Sequence, residues 1–190
     1  MPRAGLSRTE VVAAGATLAD ERGYGNLALG ALAERLGVRP PSLYKHIDGL
    51  ADLQRGIAIL AMTELDQRVR DAMHGTSGSA ALAAFATAFR DYVMAHPGRY
   101  TATVGAALGG PDDPLRLAGG RVLESLEVIL RGYGVRDGEM VHALRTLRCT
   151  FHGFATLRLA DGFQWSGDID DSFAWMIRFL DRGFGEIGRH

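Results

Sequence analysis

Residues 31–47 read Ala31-Leu-Ala-Glu-Arg-Leu-Gly-Val-Arg-Pro-Pro-Ser-Leu-Tyr-Lys-His-Ile47, and this stretch decides the fold. Leu29, Leu32, Ala33 and Leu36 recur at helical spacing and Gly37 ends the run, so a short helix is expected over residues 29–36. A second begins at Pro40-Pro41, because the first turn of a helix has no intrahelical use for the N–H that proline lacks. It carries Leu43 and Ile47 inward at i, i+4, and Asp48-Gly49 closes it. Two short helices joined by a tight glycine-containing turn, the second with exposed polar residues, are what a helix-turn-helix requires. Leu32, Leu36, Val38, Leu43 and Ile47 are expected to pack the pair against a helix over residues 9–22. Arg39, Pro40, Ser42, Tyr44, Lys45 and His46 then face outward. A DNA major groove about 12 Å wide admits one such helix.

Working outward, apolar residues at helical spacing predict further helices over residues 50–73, 81–95, 99–108, 115–130, 138–160 and 169–184. His96-Pro-Gly and Gly109-Gly-Pro-Asp-Asp-Pro form the joints, and the 25 glycines stand at helix ends rather than in linkers. No alternating β-branched run competes, and no internal repeat is found. The expected fold class is all-α with about nine helices: a three-helix N-terminal unit over residues 1–49 and a helical domain over residues 50–190.

Twenty-one Lys+Arg against 22 Asp+Glu give a formal charge of −1, which excludes a protein that coats nucleic acid by bulk charge. A single cysteine, Cys149, excludes an internal disulfide framework and any thiolate-rich zinc or iron–sulfur site, and fits a reducing compartment. The first residues lack the apolar core of a secretion signal, and no run reaches the roughly 18–20 apolar residues of a membrane helix. The cytoplasm is the expected location, with no membrane partner.

The segments Leu32-Ala-Glu-Arg-Leu-Gly-Val38 and Ser42-Leu-Tyr-Lys-His-Ile47 resemble the TetR (tetracycline-repressor-like) family of bacterial transcription regulators, over residues 9–53. The resemblance implies a recognition helix over residues 40–46. In it Tyr44 and His46 stand where phosphate or bases are usually held, and Pro40, Pro41, Ser42 and Lys45 where bases are read or the groove is lined. Lys45 is the only lysine in the chain. Three positions depart from the family pattern: Ala28 where Thr or Ser often caps the second helix, Gly30 where a phosphate-contacting Arg is common, and Leu50 where a phosphate-binding Lys often begins the fourth helix. Fewer neutralised phosphates mean a shallower salt dependence of binding. Arg3, Arg8, Arg39 and Arg55 are the candidates to compensate.

The resemblance also implies a variable C-terminal domain that binds a small effector and dimerises through the last two helices. Phe151-His-Gly-Phe-Ala-Thr-Leu, with Ser172-Phe-Ala-Trp-Met-Ile, resembles the subgroup carrying a Trp-His-Gly-type signature, with Phe151 in the Trp position. Pairing is also expected physically, since helix-turn-helix proteins read two half-sites about one helical turn apart. Leu144, Leu147, Phe151, Phe154, Leu157, Phe173, Ile177, Leu180 and Phe184 are the candidates for that interface, with intramolecular core as the alternative.

His142, Arg145, Cys149 and His152 fall at spacings that share one helix face. Three readings stay open: polar groups of an interface or core, the lining of an effector pocket with Arg145 holding an anionic group, or a metal site. Ten residues of helix put His142 and His152 about 15 Å apart, too far for one ion, so no metal is expected. Phe85, Phe89, Tyr92, Tyr100, Tyr133 and Met140 are candidate pocket walls, with plain core as their alternative.

The chain therefore reads as a sequence-specific DNA-binding regulator, a repressor that an unknown small molecule releases from a palindromic double-stranded operator. The alternative is a helical ligand-binding or protein-interaction dimer with weak or lost DNA binding. No Ser/His/Asp grouping, phosphate loop, dinucleotide fingerprint or Cys-x-x-Cys points to an enzyme, and no cofactor is expected. Residues 1–55 carry 7 basic and 6 acidic groups and the rest 14 and 16, so placement rather than total charge must carry DNA binding.

Overall fold

The structure is a computed structural model that describes residues 6–187. The described residues contain nine α-helices and no strand: α1 (Arg8–Arg22), α2 (Leu29–Leu36), α3 (Pro40–Leu43), α4 (Leu50–Met73), α5 (Gly78–Ala95), α6 (Pro97–Thr103), α7 (Pro114–Gly132), α8 (Asp137–Leu159) and α9 (Ile169–Ile187). A 3₁₀ turn at Tyr24–Asn26, unforeseen in the sequence, joins α1 to α2. Helix α6 stops short of the expected residue 108, because Gly105 takes a left-handed φ of 74° just past it and breaks the ladder.

The chain folds as two compact units. One comprises residues up to Glu64 together with His96–Ala118, the other residues 65–95 and those from Gly119 onward. A cut at residue 50 thus falls inside the first unit, since the start of α4 packs with α1 and α2.

In the first unit Ser7 begins α1 with a capping box: its hydroxyl accepts from the Glu10 N–H at 3.2 Å, and Glu10 accepts the Ser7 N–H at 2.7 Å. The Ser7 hydroxyl, which also donates to the Glu10 carboxylate at 2.8 Å, and after it the Ser7 N–H hold that carboxyl below its ordinary pKa. The core joins Val11, Ala16, Leu18, Leu32, Leu43, Ile47, Leu53 and Ile57. Close helix approach is built from glycine. Gly15 of α1 lies beneath Leu53 of α4 and Gly56 of α4 beneath Val12 of α1, where an added Cβ would come within 2.8 Å in each case. Helix α6 is tied to α1 by Asp20, which accepts the Arg99 N–H at 2.8 Å and pairs with the Arg99 guanidinium at 2.9 Å. Arg99 also reaches Glu64 of α4 at 3.0 Å. Asp113 caps α7, accepting from the Leu115 N–H at 2.8 Å.

The second unit is packed largely with aromatic rings. Phe85 of α5 meets Phe151 of α8 at 5.9 Å between centroids, and Phe154 of α8 meets Phe173 of α9 at 4.9 Å. The Arg90 guanidinium covers the Phe173 ring at 4.4 Å. Asp168 caps α9, accepting from the Asp170 and Asp171 N–H groups at 2.7 and 3.0 Å. Much of the apolar surface assigned above to a dimer interface is core of the single chain. Leu147, Phe151, Phe154, Phe173, Leu180 and Phe184 are all buried, because α5 and the rest of the unit cover that side of α8 and α9. The exposed aromatics of α9 are instead Trp175 and Phe179, stacked at 5.4 Å.

Candidate nucleic-acid interface

The turn between α2 and α3 is shaped by one residue. Gly37 is left-handed (φ 65°, ψ 31°), and the Val38 N–H returns to the Ala33 carbonyl at 3.0 Å, closing α2. Arg39 is extended, as a residue before proline must be, and Pro40 and Pro41 start α3. Only Pro40–Leu43 is α-helical, so the recognition segment is shorter than the helix expected over 40–46. It continues as a turn, with the His46 and Ile47 N–H groups both donating to the Leu43 carbonyl at 2.8 and 3.0 Å. Two prolines donate no hydrogen bonds at one end, and at the other Gly49 (φ 116°) turns the chain into α4.

This segment has two opposite faces. Leu43 and Ile47 are fully buried, whereas Arg39, Pro40, Pro41, Tyr44 and Lys45 are exposed, Tyr44 to 60%. Ser42 and His46 are half-buried. The departures seen in the sequence have the expected consequences: Ala28 offers α2 no side-chain cap, Gly30 faces open space and Leu50 is exposed.

The compensating arginines are placed differently from expectation. Arg8 is clamped by Asp52 of α4 through two bonds of 2.6 and 2.7 Å, and donates a third to the His46 carbonyl at 2.9 Å. Arg55 pairs with Asp113 at 2.6 Å and donates to the Ala107 carbonyl at 3.0 Å. The arginines hold both acids at a pKa of about 2, with backbone N–H groups helping. Arg3 lies outside the described residues. Arg39 remains the exposed arginine of the segment itself.

The candidate effector residues come from α5, α6 and α8 and from the residue that follows α7. Phe85, Tyr92 and Met140 are buried in the second unit, and Phe89 is half-buried there against Phe85 and Phe151. Tyr133 packs on Phe184 and donates to Asp181 at 2.5 Å; burial and that carboxylate raise its pKa. Tyr100 is buried on α6, in the first unit. Along α8, His142, Arg145 and Cys149 are exposed and His152 is half-buried. Among the described residues no group of His, Cys, Asp and Glu is arranged to hold a metal ion. An open groove between α4 and α5 is lined by Arg68, Ala72, Ala84, Thr87, Ala88 and others, with none of the sequence candidates among them.

Sequence comparison agrees with this geometry. A family model described as "Bacterial regulatory proteins, tetR family" matches residues 11–49, and one described as "Tetracyclin repressor-like, C-terminal domain" matches residues 82–180. The chain belongs to the TetR family. A relative, the uncharacterized HTH-type transcriptional regulator YobS of Bacillus subtilis, is 33% identical over 93% of this chain and 92% of its own. Two solved structures share the fold. A TetR variant from Acinetobacter baumannii AYE in complex with minocycline has a TM-score of 0.73 at 24% identity, covering 96% of this chain and 98% of its own. BioQ with its double-stranded DNA operator has a TM-score of 0.66 at 22% identity, covering 95% and 99%. As a TetR-family protein the chain is a helix-turn-helix, DNA-binding transcriptional regulator. No helix among the described residues is long and apolar enough to cross a membrane.

Proposed function

We propose that this regulator is a cytoplasmic homodimeric repressor, acting by binding rather than catalysis, that leaves a palindromic operator when a small molecule binds. Residues 1–49 read the DNA and residues 50–190 bind the effector and pair the subunits. One observation carries the DNA-reading half. A single short segment anchors itself by buried Leu43 and Ile47 and presents Arg39, Pro40, Pro41, Tyr44 and Lys45 to solvent, with Ser42 and His46 at its edges. A groove-docked segment needs that division, since phosphate donors orient it and the outward side chains meet base edges. The operator-bound BioQ and the minocycline-bound TetR variant support the two halves of the reading.

For the effector we favour the aromatic interior of the second unit, with Phe85, Phe89, Tyr92, Met140, Tyr133 and His152 as walls. Arg145 and Cys149, exposed on α8, then belong to the subunit interface. A ligand shifts the protein off DNA only by binding the DNA-incompetent form more tightly.

The test is a gel shift with a duplex selected by wild-type protein from a randomised library. Arg39→Ala and Lys45→Ala are each expected to weaken binding, and each phosphate left without its cation should reduce the magnitude of the salt slope by about 0.9. If neither matters, the recognition segment is misplaced. If wild type retards no duplex at low salt, the second reading stands: a ligand-binding dimer with lost DNA affinity, which the unsupplied phosphate positions at Ala28, Gly30 and Leu50 favour.

A further inference from the structure

Arg8 is the first residue of α1, and its charge and position suit a phosphate ligand. Its hydrogen bonds point elsewhere. One guanidinium nitrogen is shared between the His46 carbonyl (2.9 Å) and Asp52 Oδ2 (2.6 Å), and the other donates to Asp52 Oδ1 (2.7 Å). Asp52 Oδ2 also accepts the Asp48 N–H at 3.0 Å, inside the turn between the recognition segment and α4. Four bonds therefore join three pieces of chain far apart in sequence: the start of α1, the end of the recognition segment and the first turn of α4.

The recipient carbonyl matters. Because α3 ends at Leu43, the chain through Tyr44, Lys45 and His46 continues as a turn, held by the His46 and Ile47 N–H groups on the Leu43 carbonyl. The Arg8 fork supplies a fixed point there, and a bidentate guanidinium–carboxylate pair is the most directional ion pair a protein makes. The same pairing neutralises the Arg8 charge, so little of it is left for DNA.

We propose that Arg8 is a positioning residue for DNA reading: with Asp52 it fixes the orientation of Tyr44, Lys45 and His46 through the His46 carbonyl, and it neutralises no phosphate. The inference rests on the DNA-reading role proposed above.

The experiment measures operator affinity, corrected for active fraction, against salt concentration for wild type, Arg8→Ala, Arg8→Lys and Asp52→Asn, on the duplex selected by wild type. Positioning predicts that Arg8→Ala lowers affinity about tenfold with an unchanged salt slope. Arg8→Lys, which keeps the charge and loses the fork, should fall nearly as far. Asp52→Asn, which frees the Arg8 charge, should also lose affinity. A phosphate ligand gives the opposite pattern, and any part of it overturns the proposal: a slope shallower by about 0.9 in Arg8→Ala, near-normal binding by Arg8→Lys, or tighter binding by Asp52→Asn. Unchanged affinity in all three variants also overturns it, leaving the clamp a contribution to stability alone. The near-isosteric Asp52→Asn carries the test if Arg8→Ala does not fold. Wild-type protein that binds no duplex removes the DNA-reading role itself, and this proposal with it, and is told apart because it appears before any substitution is made.

Discussion

Gly98 of α6 touches the backbone of α1 at Ala19 with no room for a side chain: a Cβ there would lie 2.1 Å from the Ala19 carbonyl oxygen. Backbone cannot rotate away as a side-chain terminus can. Gly98→Ala is therefore expected to lower stability by at least about 2 kcal/mol. Gly30→Ala, in open space on α2, should instead raise stability by up to about 1 kcal/mol through helix propensity. Urea unfolding of the two variants checks the pair, and equal effects would contradict the close approach of the two helices.

Trp175 and Phe179 stack on each other while standing 60% and 62% exposed, an unusual state for two large rings on one helix face. On the proposed dimer they are the aromatic anchors. Replacing both with alanine should raise the dimer dissociation constant at least about thirtyfold, given the ~2 kcal/mol that truncating one such anchor costs. Sedimentation velocity over a dilution series reads this directly, and an unshifted equilibrium would place the interface elsewhere.

Asp52 has a folded pKa of about 2 against an ordinary 3.8, with the Arg8 hydrogen bonds as the main cause. A depressed carboxyl pKa stabilises the folded state above the ordinary value, and that contribution is lost as pH falls through the folded one. Wild type should thus exceed Asp52→Asn in stability at neutral pH, and the two should converge between about pH 4 and pH 2. Denaturant midpoints across that range are the measurement; a constant gap would mean that the carboxylate charge is not what stabilises.

Asp66 is 1% exposed; its Oδ2 is shared by Arg70 at 2.9 Å and Arg121 at 2.8 Å, and its Oδ1 has no hydrogen-bond partner. Removing one member of a buried ion pair typically costs about 3–5 kcal/mol because the other stays desolvated. Here both guanidiniums are about half exposed and can return to water, so Asp66→Ala should cost only about 1–3 kcal/mol. Guanidinium denaturation distinguishes the two ranges.

The helices were legible wherever one apolar face recurred between clear breakers. Helix α2 starts and stops at the expected residues, as does α4, because Gly37 and Gly49 are strong punctuation. The exposed face of the segment over residues 39–46 was legible for the same reason, as burying Leu43 and Ile47 forces Tyr44 and Lys45 outward. What the sequence could not convey were pairings across long separations. Arg8 meets Asp52 44 residues away, and Arg55 meets Asp113, so two cations expected at the DNA were already occupied. Helix α9 was ambiguous for a different reason. It is apolar on more than one side, and periodicity does not say whether Phe173 and Leu180 or Trp175 and Phe179 are covered by the chain's own helices.

Lys45 is the only lysine of the chain, and its side chain stands exposed on the segment proposed to read DNA. Apart from the chain's α-amino group, an amine-selective acylating reagent therefore has a single address. A fluorophore ester would install a reporter on the DNA-facing surface without any engineered residue. The same acylation would erase the one ammonium there, so footprinting with and without bound duplex would map the interface by chemical protection at one atom.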